Sequence, residues 1–211
     1  MAQVFIGTSG WTYPSWKGNF YLENLPSTRF LEFYTNRFPT TEINYSFYHL
    51  PKPSTYEKWV AQVPEGFVFA VKASRFITHT KRLKCVDEPW GIFLQNAQSL
   101  GSGLGPILFQ FPASFRCDPV RLTEFLARVR TVGPEADRLR LVFEFRHAPW
   151  FVDEGYRLLS GHGAVLCLLI LLSIHAASSP RLTSCTFVST GVSGCSPPII
   201  RKRISPRKRG R

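Results

Sequence analysis

No stretch of this chain is apolar for long enough to cross a bilayer. A spanning helix needs about 18–20 apolar residues. The uninterrupted run Ala164–Leu172 is nine residues long, with Ser173 and His175 close behind. The start, MAQVFIGTSGW, has no basic segment leading into an apolar one. No secretory leader and no membrane partner are therefore expected, and the cytoplasm is the default compartment. The five cysteines, at 85, 117, 167, 185 and 195, form no CxxC pair, which argues against a zinc site or a disulfide framework. No GxGxxG follows the first apolar run, so a dinucleotide cofactor is not expected, and no other cofactor is signalled.

Acidic residues are missing altogether from residues 166–211, which hold eight basic residues, eight serines and one aromatic, Phe187. Residues 1–165 hold 18 basic residues against 14 acidic ones. The formal net charge of +12 is thus concentrated in the tail. A basic tail is one signature of nucleic-acid contact. A change of composition this abrupt instead suggests translation in the wrong frame. If one base was lost near Leu168, the codons of Leu169-Ile170 allow Ala-Asp. Those of Ser184–Gly191 then allow an alternating strand pattern that the written frame lacks. Residues 1–168 are expected to form one domain, and 169–211 a frameshifted, disordered basic tail.

Within residues 1–168, short apolar runs alternate with helical spacing. Val4–Thr8, Thr41–Asn44, Gly66–Lys72, Gly105–Pro112, Leu139–Phe145 and Ala164–Leu168 read as six strands. Arg29–Phe38, Pro53–Val63, Pro89–Ala97, Asp118–Thr131 and Asp153–Leu159 read as helices. Asp118 is the N-cap and Pro119 the first helical residue of the clearest one. Strands alternating with helices predict a parallel sheet.

Polar groups sit at or just beyond the carboxyl end of the first five strands: Ser9 and Trp11, Glu42 and Asn44, Lys72, Gln110, then Glu144, Arg146 and His147. Barrel enzymes place their sites on that face, whereas open sheets concentrate ligand groups at one crevice. The fold class expected is α/β, a TIM-type (βα) barrel incomplete after six strands.

Five segments in order, FIGTSGWTYPSWKGNFY, TTEINYSFYHLP, FVFAVKASRFITH, LGPILFQFP and FEFRHAPWF, make the chain resemble the domain-of-unknown-function-72, or YecE-like, family. The resemblance covers residue 4 to about 168. It implies a TIM-type barrel and supplies no reaction, because the family's activity is not established. Members continue after the sixth strand with Ala-Asp and then a strand of the type V-Y-x-R-x-H-G, both permitted by the shifted frame.

The chemistry must be argued from residue types. Glu42 and Asn44 share a face by parity, as do Glu144 and Arg146. Paired carboxylates suit acid/base work, and Lys72 with Arg146 suits an anionic ligand. Glu42, Lys72 and Glu144 are the candidate catalytic residues. Ser9, Trp11, Asn44, His79, Gln110, Arg146, His147 and Trp150 are candidate ligand contacts. The competing reading is an ion-pair network that fills the barrel mouth. Glu42, His79, Glu144 and His147 have no recognisable metal-ligand spacing, so no metal is expected. Trp11, Tyr13, Trp16, Phe20, Tyr21, Phe47 and Tyr48 crowd the first two loops, where they either stack a ligand or pack the barrel top.

The expected function is an enzyme of unstated reaction acting on a small anionic or sugar-like ligand, inactive in this shortened form. The alternative is a nucleic-acid-binding or processing barrel. Resequencing the coding DNA across codons 160–200 is expected to find a missing base near codon 168; an intact frame there would overturn the frameshift.

Overall fold

The computed structural model describes residues 4–132 and 136–167. Leu168 and the tail 169–211, including the expected change of frame, lie outside the described residues. Six strands form one parallel sheet: β1 (Gly7–Ser9), β2 (Thr40–Ile43), β3 (Val68–Lys72), β4 (Leu104–Gln110), β5 (Leu141–Glu144) and β6 (Ala164–Leu166). Their spatial order is their order in the chain. A doubly wound sheet reverses its strand order at a switch point; this sheet winds one way, as a barrel does. Among the described residues β1 and β6 are its two edges, so the barrel is not closed.

The helices are α1 (Phe30–Thr35), α2 (Tyr45–Tyr48), α3 (Pro53–Val60), α4 (Asp87–Ala97), α5 (Pro119–Val129) and α6 (Asp153–Gly161). Side chains alternate across each strand. One face carries Ile43, Phe69, Val71, Ile107, Phe109, Leu141 and Phe143, all buried in the main core with Leu31, Tyr34, Tyr56, Trp90, Phe93 and Phe125 from the helices. Each such aromatic or aliphatic residue contributes roughly 1.5–3 kcal/mol by burial. The other face carries the small cluster Leu108, Val142 and Cys167, and the polar residues continue from it.

Gly105-Pro106 fixes which side chains reach that second face. Phe69 pairs with Leu104, but Val71 pairs with Ile107 and Lys72 with Leu108, so β4 gains one residue between them. Proline cannot donate to a ladder, and a Cβ on Gly105 would meet the Phe69 carbonyl oxygen at 2.5 Å. The bulge turns Leu108 and Gln110 to the same side as Lys72. Without it the ladder would pair Lys72 with Ile107, and Gln110 would face the helices.

The boundaries differ from the sequence reading where local context wins. The first strand shrinks to Gly7–Ser9, with Val4 and Ile6 left 61% and 60% exposed. The fourth helix begins at Asp87, two residues before Pro89, since the first helical amides need no intrahelical acceptor. The sequence reading has neither α2, four residues long, nor the π-turn Phe76–Thr80. Asp118 does cap α5: it accepts from the Arg121 amide at 3.0 Å and pairs with the Arg121 guanidinium at 2.7 Å. Asp118→Ala should lower stability by about 1 kcal/mol, a drop of about 2–4 °C in melting temperature. Asp118→Asn, which keeps the cap oxygen, should recover most of it.

Candidate functional site

Three polar groupings stand at the carboxyl ends of the strands. The first joins β1 and β2. Ser9 pairs with Glu42 across the sheet, which brings the Ser9 hydroxyl to 2.7 Å from Glu42 Oε1. Asn44 Nδ2 donates in turn to the Ser9 hydroxyl. The chain of bonds therefore runs Asn44 to Ser9 to Glu42. Glu42 is 3% exposed, and its Oε2 has no hydrogen-bond partner among the described residues. Burial holds its carboxyl above the usual range; the Ser9 hydrogen bond and the Lys72 charge oppose this, and the Glu144 charge adds to it.

The second grouping is Lys72, Phe47 and His79. Ser46 on α2 donates to the carbonyls of Ile43 and Lys72, at 2.9 and 2.6 Å. This ties α2 to the ends of β2 and β3 and carries Phe47 beneath the lysine. Lys72 Nζ lies 4.7 Å from the Phe47 ring centroid, and His79 meets the same ring edge-on at 5.0 Å. The His79 imidazole titrates below its ordinary value, first by burial and then by the charges of Arg75, Lys72, Arg146 and Arg82. Four cations thus act on one half-buried ring. The segment that follows is strained: Arg82, Leu83 and Cys85 all have positive φ, unusual for residues with a Cβ.

The third grouping joins β4 and β5. Gln110 and Glu144 are paired in register, and Gln110 Nε2 donates to both Glu144 oxygens, at 3.0 and 2.9 Å. Arg146 Nε donates to Glu144 Oε1 at 3.1 Å; the arginine is 48% exposed and the glutamate 1%. The guanidinium is the solvent-facing end of a buried carboxylate's bonds.

Two sequence-predicted residues point elsewhere. Trp150 is buried in the main core, stacked 4.3 Å from Phe145 and 5.8 Å from Phe115. His147 Nδ1 accepts from the Cys117 amide at 3.2 Å, on the loop before α5. Parity along β5 sends residues 145 and 147 to the helix side and 144 and 146 to the other. Among the described residues no three of His, Cys, Asp and Glu gather to hold a metal ion.

Trp11 lies where expected but with partners the sequence did not suggest. It lines a cleft of about 560 Å³ with Ser9, Asn44, Tyr45, Trp59 and Gln62. Tyr13 and Tyr48 also line it. Trp16, Phe20 and Tyr21 instead pack on one another. Trp59 falls in the sequence on one face of α3 with Tyr56 and Val60; in the fold it is partly buried against the main core and also lines the cleft.

The family model described as "Protein of unknown function DUF72" matches residues 5–194. The UPF0759 protein YunF of Bacillus subtilis is 29% identical over 159 residues, which span 72% of this chain and 54% of that protein. The UPF0759 protein YecE of Escherichia coli K12 is 31% identical over 112 residues, or 53% of this chain and 39% of that one. The chain thus spans about half the length of these curated relatives or less. A crystal structure of a DUF72 family protein from Thermotoga maritima superposes with a TM-score of 0.65 at 31% identity, covering 77% of this chain and 63% of that one.

The raised Glu42 carboxyl predicts a pH dependence. The folded state holds this proton more tightly than the unfolded chain, so the contribution is full below the unfolded value of about 4.3. It is lost as pH rises through the folded value. Glu42→Gln removes the group. Its melting temperature relative to the parent should therefore rise as pH increases from about 4.3. A difference that stays flat, measured by calorimetry across that range, would sink the assignment.

Proposed function

The chain belongs to the DUF72 family, and from that premise we propose that the carboxyl-terminal face of its sheet binds a small anionic ligand and performs proton transfer on it. One observation carries the reading. A carboxyl buried to 3% exposure, with one oxygen unpartnered among the described residues, sits in the same field as Lys72 and opposite the like charge of Glu144. Perturbed carboxyls beside cations are the usual equipment of general acid/base sites. Glu42 is the proton-transfer group. Its raised affinity for a proton lets it donate nearer neutral pH than an ordinary carboxylate, and ionisation makes it the base.

Lys72, Arg146 and His79 receive the anion. Lys72 is anchored on an aromatic face that tolerates a cation. Arg146 already shows the geometry of carboxylate binding toward Glu144 and keeps its outer edge free to solvent. Glu144, held by Gln110, positions Arg146 rather than reacting. Ser9 and Asn44 orient Glu42. No helix among the described residues is long and apolar enough to cross a membrane. A nucleic-acid ligand has weaker support, because the aromatic cleft beside this row is lined without Asp, Glu, Lys or Arg, whereas polynucleotide grooves carry their own cations.

Inorganic phosphate is the simplest probe. At 100 times its dissociation constant it should stabilise the protein by about 2.7 kcal/mol, read as a higher melting temperature than in sodium chloride of equal ionic strength. Lys72→Ala should abolish the increment and Arg146→Ala reduce it. Equal melting temperatures in phosphate and chloride would refute the anion site.

A further inference from the structure

The cleft beside Glu42 differs from the charged row in carrying no side chain of the row's ionised types. Among the described residues its lining holds no Asp, Glu, Lys or Arg, although two of its members, Ser9 and Asn44, lie in the hydrogen-bond chain to Glu42. At about 560 Å³ it falls within the range of about 300–1,000 Å³ typical of small-molecule sites. Apart from the imidazole of His49, its polar groups are hydroxyls and amides, among them Ser9, Thr12, Ser27, Thr28, Asn44 and Gln62. Hydroxyls both donate and accept, and amides offer one end of each kind. Such a lining matches a ligand whose own groups do both, which is to say hydroxyls.

The rings choose between flat and puckered ligands. Trp59 is perpendicular, at 87°, to both Trp11 and Tyr45, with centroids 5.4 and 6.3 Å away. One face of Tyr45 is already stacked on His49 at 4.4 Å. With Trp59 edge-on to both Trp11 and Tyr45, these rings make a corner. A corner of aromatic faces suits a puckered ring with C–H groups on more than one side. Tyr45 remains 52% exposed, so the cleft mouth presents an aromatic surface to solvent.

We infer that this cleft is a subsite for an uncharged sugar ring, so that the ligand of the face is a sugar carrying an anionic group. The anionic group rests on the reading above; the sugar subsite rests on the cleft alone. The order of pairing sets the layout. Glu42 lies between Ser9 on one side and Ala70, one inward position before Lys72, on the other. The ring in the cleft meets the Asn44–Ser9–Glu42 chain with a hydroxyl or bridging oxygen, and the anion extends past Glu42 toward Lys72. The unpartnered Glu42 oxygen then lies between the two halves of one ligand.

Tryptophan fluorescence of the full chain, titrated separately with glucose, galactose, mannose and ribose, tests this, because Trp11 and Trp59 both line the cleft. At least one sugar should give a saturable change. Its 6-phosphate (5-phosphate for ribose) should bind more tightly than the free sugar. Tyr45→Ala, at an exposed position that keeps both tryptophans, should weaken sugar binding about tenfold and leave phosphate binding unaltered. Gln62→Ala should weaken it similarly, and Lys72→Ala should spare the free sugar. A saturable response to none of the four sugars, a response to adenosine alone, or unchanged sugar affinity in both cleft variants would overturn the sugar subsite. Loss of phosphate binding with the sugar response intact would instead remove the anion reading and leave the subsite standing.

Discussion

The register of a parallel sheet governs everything at this site. Every second residue of a strand faces away from the helices, and pairing decides which strands contribute at the same height. Ser9 opposite Glu42, and Gln110 opposite Glu144, are direct register partners. Their side-chain hydrogen bonds follow from that pairing, not from loop conformation. Gln110 and Glu144 share the face of Glu42 and Lys72 only because β4 carries an extra residue at Gly105-Pro106. A one-residue slip in any of these strands would turn its polar residue into an apolar helix layer, where an unpaired carboxylate or lysine is costly. Fold stability and site geometry are therefore enforced by the same pattern.

Within that frame the two glutamates have different surroundings. Glu144 has Gln110 on both oxygens and Arg146 on one. Glu42 has one hydroxyl on one oxygen. A buried carboxylate with few donors favours its protonated form, and the neighbouring Lys72 charge recovers only part of the lost solvation. The opposing effect at His79, whose imidazole titrates below its ordinary value through burial and four cations, comes from the same crowding of charge. Across one face the fold keeps a carboxyl readier to hold a proton and an imidazole readier to release one.

Much of this was legible in the sequence because the polar residues interrupt otherwise apolar runs. Glu42, Lys72, Gln110 and Glu144 stand out at the ends of Thr-, Val- and Phe-rich strands, and alternation places them on one face. Asp118-Pro119 announces its helix by chemistry that acts within one turn. Trp150 and His147 lie away from the row of strand-end polar residues, because adjacency in sequence to Arg146 says nothing about face. The π-turn at Phe76–Thr80 and the four-residue α2 have no period to detect. Their conformations are set by tertiary bonds such as Ser46 to the Lys72 carbonyl. Trp59 was legible as apolar but not as a cleft wall, since that depends on Trp11 arriving from another loop.

The separation between the charged row and the neutral cleft has a physical reason. A charge placed among Trp11, Trp59 and Tyr45 would lose water and gain few donors, and the hydroxyls and amides there could not offset it. Charges are affordable only where neighbouring strand ends supply partners, as Gln110 does for Glu144. The aromatic corner can therefore hold a ligand through area and hydroxyl bonding, while the strand ends orient its charged end. Glu42 lies on the boundary between these two environments. Its satisfied oxygen belongs to the Ser9–Asn44 wall and its unsatisfied one to the buried interior, within the field of Lys72. A group that must both hold and release a proton benefits from that position. Full hydrogen bonding would fix it as an ion, and a wholly apolar setting would fix it as an acid.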